Sequence, residues 1–116
     1  MGIIEKKLTE HNLLRSTRRK VVRHGQSINL GQFRIEFIKT NHSIQDAAAL
    51  AIYSPAGIVV HTGDFKVDYT PVYGDAIDLQ RFAEIGKKGV LALMSDSTNA
   101  ERPGFTQSER TVGITF

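Results

Sequence analysis

Three apolar segments, each closed by a cluster of polar residues, constrain this 116-residue chain more than any other feature of it. Phe33–Lys39 runs into Thr40-Asn41-His42-Ser43, and Gly57–Val60 runs into His61-Thr62-Gly63-Asp64-Phe65-Lys66. Val90–Met94 runs into Ser95-Asp96-Ser97-Thr98-Asn99. In layered α/β folds the ends of strands are where sites collect, so these clusters are where chemistry is to be sought. Phe33, Ile35 and Phe37 alternate with Arg34 and Glu36, the pattern of a half-buried strand. Gly57–Val60 and Val90–Met94 are apolar without alternation, as expected of strands covered on both faces.

The remaining pattern supplies the connections. Ile4, Leu8 and His11 fall one helical turn apart, flanked by Ile3, Lys7 and Leu14, which predicts an amphipathic helix over Ile3–Leu14. Lys20–Arg23 and Gln26–Leu30 read as short strands separated by His24-Gly25. Ala47–Tyr53 and Gly57–His61 are joined by Ser54-Pro55-Ala56-Gly57, which suits a type I turn and antiparallel pairing. Asp78 can cap a helix that turns Leu79, Phe82, Ala83 and Ile85 inward. Lys87 and Lys88 suit its C-terminal end, and Gly89 stops it. Pro103-Gly104 makes a turn, and Thr106-Gln107-Ser108-Glu109 has the spacing of a capping box before a further helix. A chain that starts near one helix and stops inside another is expected to be a piece of a longer protein.

Composition excludes several classes. There are no cysteines, hence no disulfide scaffold, thiolate metal site or cysteine nucleophile. The 41% apolar content is that of a globular chain. No apolar run approaches the ~20 residues of a membrane-spanning helix, and the start lacks the apolar stretch of a signal peptide. No membrane association is expected, and a cytoplasmic setting is the default. The net charge of +3 is unevenly spread, with five basic residues between Arg15 and Arg23 (Arg15, Arg18, Arg19, Lys20, Arg23). Such a strip can contact phosphates by releasing counterions. It can equally be a solvated connection, and no aromatic residue interleaves it for base stacking.

Each polar cluster has an ordinary explanation when taken alone, since Asp and Ser in turns satisfy backbone groups. Taken together they offer metal chemistry. Imidazole nitrogen and carboxylate oxygen suit Zn²⁺ or Mn²⁺, and a carboxylate can bridge two ions. Paired ions can activate water and clamp a phosphate. His42 and Asp64 are the right types for such a centre, but two ligands are too few to build it. His11 and His24 have no ligand partners at suitable spacing. His61 is either an orienting group or a plain strand residue, a choice that its burial decides. Asp64 and Asp68 stand four apart rather than the two of aspartyl-nucleophile phosphatases, which excludes that class.

Asn41-His42-Ser43-Ile44-Gln45-Asp46, the stretch HTGDFKVDYTP (His61–Pro71) and SDSTNAERPGFTQSER (Ser95–Arg110), in this order, closely resemble the bacterial ribonuclease J family. That family belongs to the β-CASP branch of the metallo-β-lactamase superfamily, and the resemblance covers nearly the whole chain. It implies an α/β (α+β) fold, part of an αββα sandwich. Residues 1–116 would form one incomplete domain, with about 106–116 leading toward a β-CASP domain. It further implies that His42 is a metal ligand, Asp64 the bridging carboxylate of a two-metal centre, and Asp96 a carboxylate that orients a histidine from later in the chain. The implied substrate is RNA, cleaved internally and from the 5′ end in messenger decay and ribosomal RNA maturation.

The family's H-x-H-x-D-H motif is absent here, which leaves only His42 and Asp64 of its metal-site residues. The chain alone is therefore expected to hold no stable metal pair and to cleave nothing. Another hydrolase of the superfamily, a lactonase or thioester hydrolase, is disfavoured by SDSTNAERPG. A rival from a different class is a non-catalytic RNA-binding or assembly module that uses the Arg15–Arg23 strip. A partial sheet exposes edges and an apolar face, so homo-oligomerisation or poor solubility is expected.

Overall fold

The protein is described by a computed structural model over residues 2–42, 46–68, 76–108 and 110–111. Its elements are α1 (Gly2–Glu10), β1 (Ser27–Leu30), β2 (Phe33–Lys39), β3 (Ala48–Ser54), β4 (Gly57–His61), α2 (Leu79–Lys88) and β5 (Ala92–Met94). The five strands form one sheet in chain order, β1 to β4 antiparallel and β5 parallel to β4. This is an α+β fold.

The β3–β4 hairpin closes as the turn residues predict. Ser54 pairs with Gly57 around Pro55-Ala56, and Ser54 Oγ donates to the Gly57 carbonyl at 3.0 Å. Gly57 has φ +140°, a conformation that favours glycine, and an added Cβ would lie 2.5 Å from Leu91 Cδ1. α2 then carries the chain back across the sheet to β5, the crossover that a parallel pair requires. Asp78 caps it by accepting the Arg81 N–H at 3.1 Å, and Gly89 ends it at φ +89°. Ile85 packs onto Ile38, Ala49, Ala51 and Val60, with Phe82, Tyr53, Ile58 and Val90 around them. Leu79 and Ala83, expected to face inward, are exposed.

The alternation of β2 holds, but its deepest positions are Glu36 and Ile38, while Phe33 is exposed and Ile35 and Phe37 are half-buried. The reason lies on α2. Arg81 grips the Glu36 carboxylate through Nε and Nη2, each at 2.6 Å, so the charge enters the core face already paired. Tyr53 Oη adds a bond of 3.1 Å to the same carboxylate, and the Arg34 guanidinium lies 4.0 Å from the Tyr53 ring centre. These donors, Arg81 first, hold the Glu36 carboxyl below its ordinary value against the effect of burial.

Further expectations change. The N-terminal helix ends at Glu10 rather than Leu14, because Asn12 turns left-handed at φ 57° and the Leu13 N–H closes onto the Leu8 carbonyl. Lys20–Arg23 is not a strand; pairing to β2 begins only with Gly25 and Gln26, which bond to Phe37. Val90–Met94 contributes only Ala92–Met94, at the sheet edge, and Leu91, Leu93 and Met94 are exposed. Among the described residues, β5 has β4 on one side and nothing on the other. β4, expected to be covered on both faces, is covered incompletely, with Val60 alone fully buried. In the last segment the Ser108 hydroxyl, rather than Thr106, accepts the Arg110 N–H at 3.3 Å where the backbone turns helical. Glu109 and residues 112–116 lie outside the described residues. No helix among the described residues is long and apolar enough to cross a membrane.

Candidate metal centre

Strand direction brings the three polar clusters to one rim. β2 and β4 each run antiparallel to β3, and β5 runs parallel to β4, so all three point the same way. Their C-terminal ends carry His42, Asp64 and Asp96.

Two of these side chains converge. His42 Nε2 lies 3.6 Å from Asp64 Oδ2. This is longer than a hydrogen bond, and the two side chains face each other across the rim. The Asp64 side chain is 74% exposed and that of His42 32%, which leaves both open from the solvent side. The loops that carry them are joined by backbone: Lys66 N–H donates to the Asn41 carbonyl at 2.6 Å, an isolated antiparallel bridge. Gly63, at φ +59°, makes the turn before Asp64.

Asp96 stands in the adjoining loop, tied to the second cluster through Thr62. The buried Thr62 donates its N–H to the Met94 carbonyl at 3.0 Å, and its hydroxyl accepts the Asp96 N–H at 3.1 Å. The Asp96 carboxylate turns to its own loop, where Oδ1 accepts the Thr98 hydroxyl and the Thr98 N–H at 3.0 Å. Those bonds, the hydroxyl first, hold it below the ordinary aspartate value. It is ionised at neutral pH and occupied within its loop. His61 is exposed, and its Nδ1 accepts the Gly63 N–H at 3.0 Å; it is a turn-stabilising strand residue.

The donor chemistry of His42 and Asp64 fits a divalent ion, but their number does not. Among the described residues no group of three or more His, Cys, Asp or Glu is placed to hold a metal. Two donors cannot fill a tetrahedral or larger shell.

Sequence reasoning passed over Asn41, Asp68 and Ser108, which are built around this pair. Asn41 and Asp68 are buried, and the Asn41 Nδ2 donates to the Asp68 carbonyl at 2.8 Å. The available signal was their adjacency to the singled-out groups: Asn41 precedes His42, and Asp68 ends the run that starts at Asp64.

No protein-family model matches the chain. Curated relatives do. It is 50% identical over 113 residues to ribonuclease J of Synechocystis sp., covering 97% of this chain and 18% of that protein. It is 46% identical over 113 residues to ribonuclease J 1 of Streptococcus pyogenes, and 38% over 112 residues to ribonuclease J2 of Bacillus subtilis, covering 97% of this chain and 20% of each. By sequence the chain belongs to the ribonuclease J family, and it spans about a fifth of the length of these relatives. Among solved structures it is similar to an Enterococcus faecalis protein of unknown function, with TM-score 0.55 and 19% identity, over 80% of this chain and 21% of that one. That likeness concerns the fold alone.

Proposed function

We propose that this chain is the part of a metal-dependent ribonuclease that supplies two ligands, His42 and Asp64, to a centre of two divalent ions. The observation that carries the reading is the 3.6 Å approach of imidazole to carboxylate, at a rim formed by three parallel-pointing strand ends. When bound, such ions supply a nucleophile at neutral pH and neutralise the charge that develops on a phosphodiester. The protein's own residues hold the ligands: the Asn41–Lys66 bridge fixes the spacing of the two loops, and Thr62 fixes the third. In this reading Asp96 orients a histidine contributed by further chain. The fold is part of an αββα sandwich of the metallo-β-lactamase type, in its β-CASP branch.

RNA is the proposed substrate of the longer protein, cleaved from the 5′ end and internally, in messenger decay and ribosomal RNA maturation in the cytoplasm. Zn²⁺ is the favoured ion and Mn²⁺ the alternative, by the chemistry of the donors. The 116-residue chain by itself has too few donors to hold the ion pair and is inactive. The test is hydrolysis of single-stranded RNA and of a lactone by the longer protein, before and after chelation. RNA cleavage that is lost with chelator and restored by Zn²⁺ or Mn²⁺ supports the reading. Lactone cleavage without RNA cleavage refutes it. Salt-sensitive RNA binding by the 116-residue chain without any such cleavage would favour an RNA-binding module on Arg15–Arg23, whose basic residues are exposed.

A further inference from the structure

The approach of His42 to Asp64 depends on something that holds two irregular loops together, and the residue at the centre of that arrangement is Asp68. It is a carboxylate 6% exposed, placed outside the helices and strands, with no part in the sheet's hydrogen bonding. Burial of a charge is unfavourable unless it is paired and hydrogen-bonded. Here the Ser108 hydroxyl lies 3.0 Å from both carboxylate oxygens, and Lys66 Nζ lies 3.9 Å from Oδ2. The Asp68 carbonyl accepts Asn41 Nδ2 at 2.8 Å, and Asn41 in turn accepts the Lys66 N–H at 2.6 Å. One residue thus touches three segments: the Asn41-His42 loop through its backbone carbonyl, and, through its carboxylate, the Asp64–Lys66 loop at Lys66 and the start of the last helical turn at Ser108.

We infer that Asp68 is a positioning residue that sets the spacing of His42 and Asp64 through Asn41 and Lys66, and that Ser108 couples that spacing to the chain segment that follows it. The inference rests on the proposed ribonuclease reading and adds residues that the reading does not contain. In this inference Asp68 acts on the two candidate ligands through Asn41 and Lys66. Ser108 serves two structures at once, since its oxygen also accepts the Arg110 N–H at 3.3 Å. A displacement of residues 110–111 therefore pulls on the same hydroxyl that fixes Asp68.

The test uses the longer protein with Asp68→Ala, Ser108→Ala and Ser108→Thr, and reads two quantities. The first is kcat and KM for RNA cleavage per folded molecule. The second is the exchange rate of the Lys66 backbone amide. Loss of an outer support of a metal ligand commonly reduces activity about 10–100-fold. The expected result is a fall in kcat of that order for Asp68→Ala and Ser108→Ala, with KM within about twofold and faster Lys66 exchange. Ser108→Thr, which keeps the hydroxyl, restores both. If Asp68→Ala fails to fold, Ser108→Ala decides alone. Unchanged kcat per folded molecule, or Lys66 exchange as slow as in the parent, overturns the inference. Failure of the ribonuclease reading itself shows differently, as full cleavage by Asp64→Ala.

Discussion

Arg81 and Glu36 stand 45 residues apart in sequence and meet through two hydrogen bonds of 2.6 Å that fasten α2 to β2. Glu36 is nearly fully buried, so the pair cannot be broken from one side without stranding a carboxylate in the core face. Arg81→Ala is expected to destabilise the fold by about 3 kcal/mol, the usual cost of removing one partner of a buried pair. Arg81→Lys should recover only part of this, because an ammonium cannot reproduce the forked contact. Urea denaturation of the three proteins measures both effects; an Arg81→Ala loss below about 1 kcal/mol contradicts the account.

Acid should act through the same carboxylate. The folded-state pKa of Glu36 lies below the ordinary 4.5, chiefly because of Arg81. The contribution is therefore fully present above about pH 4.5 and is lost as pH falls through the folded value. The stability gap between the parent and Glu36→Gln should shrink as pH drops below 4.5 and be constant between pH 6 and 8. A gap that is unchanged down to pH 2 contradicts this.

Thr40 follows β2 and is 4% exposed, and its Oγ1 finds no hydrogen-bond partner among the described residues. An unpaired buried hydroxyl is unfavourable, and valine has nearly the same shape. Thr40→Val is expected to stabilise the fold by about 1 kcal/mol, read as a higher denaturation midpoint. A loss of that size would mean that the hydroxyl is bonded after all.

The edge of the sheet should make the isolated 116-residue chain associate. β5 presents Leu93 and Met94 at 64% and 54% exposure, and Leu91 precedes it at 66%. An apolar edge strand is a template for pairing with another chain. Light scattering is expected to show concentration-dependent association, and Leu93→Lys should raise the concentration at which it begins. A clean monomer at high concentration would contradict the expectation.

Much of the sheet was legible because its signals are local. The Ser54–Gly57 turn, the alternation in Phe33–Lys39, and Asp78 and Gly89 at the two ends of α2 each depend on neighbours within a few residues. Once the hairpin and the crossover are placed, strand direction follows, and with it the shared rim of His42, Asp64 and Asp96. What was not legible depends on distant partners. Nothing around Glu36 announces Arg81, so the buried face of β2 reads incorrectly from alternation alone. The apolar run Val90–Met94 carries the signal of a covered strand, yet among the described residues nothing lies against its outer edge. Asp68 reads as a loop carboxylate until Ser108, 40 residues on, is seen to donate to it.

The central claim is that His42 and Asp64, 3.6 Å apart, belong to the reactive centre. Its most direct test is RNA cleavage by the longer protein carrying Asp64→Ala, with folding verified by circular dichroism. The account predicts that this variant folds and no longer cleaves RNA. A folded Asp64→Ala protein that cleaves at the parental rate would contradict it.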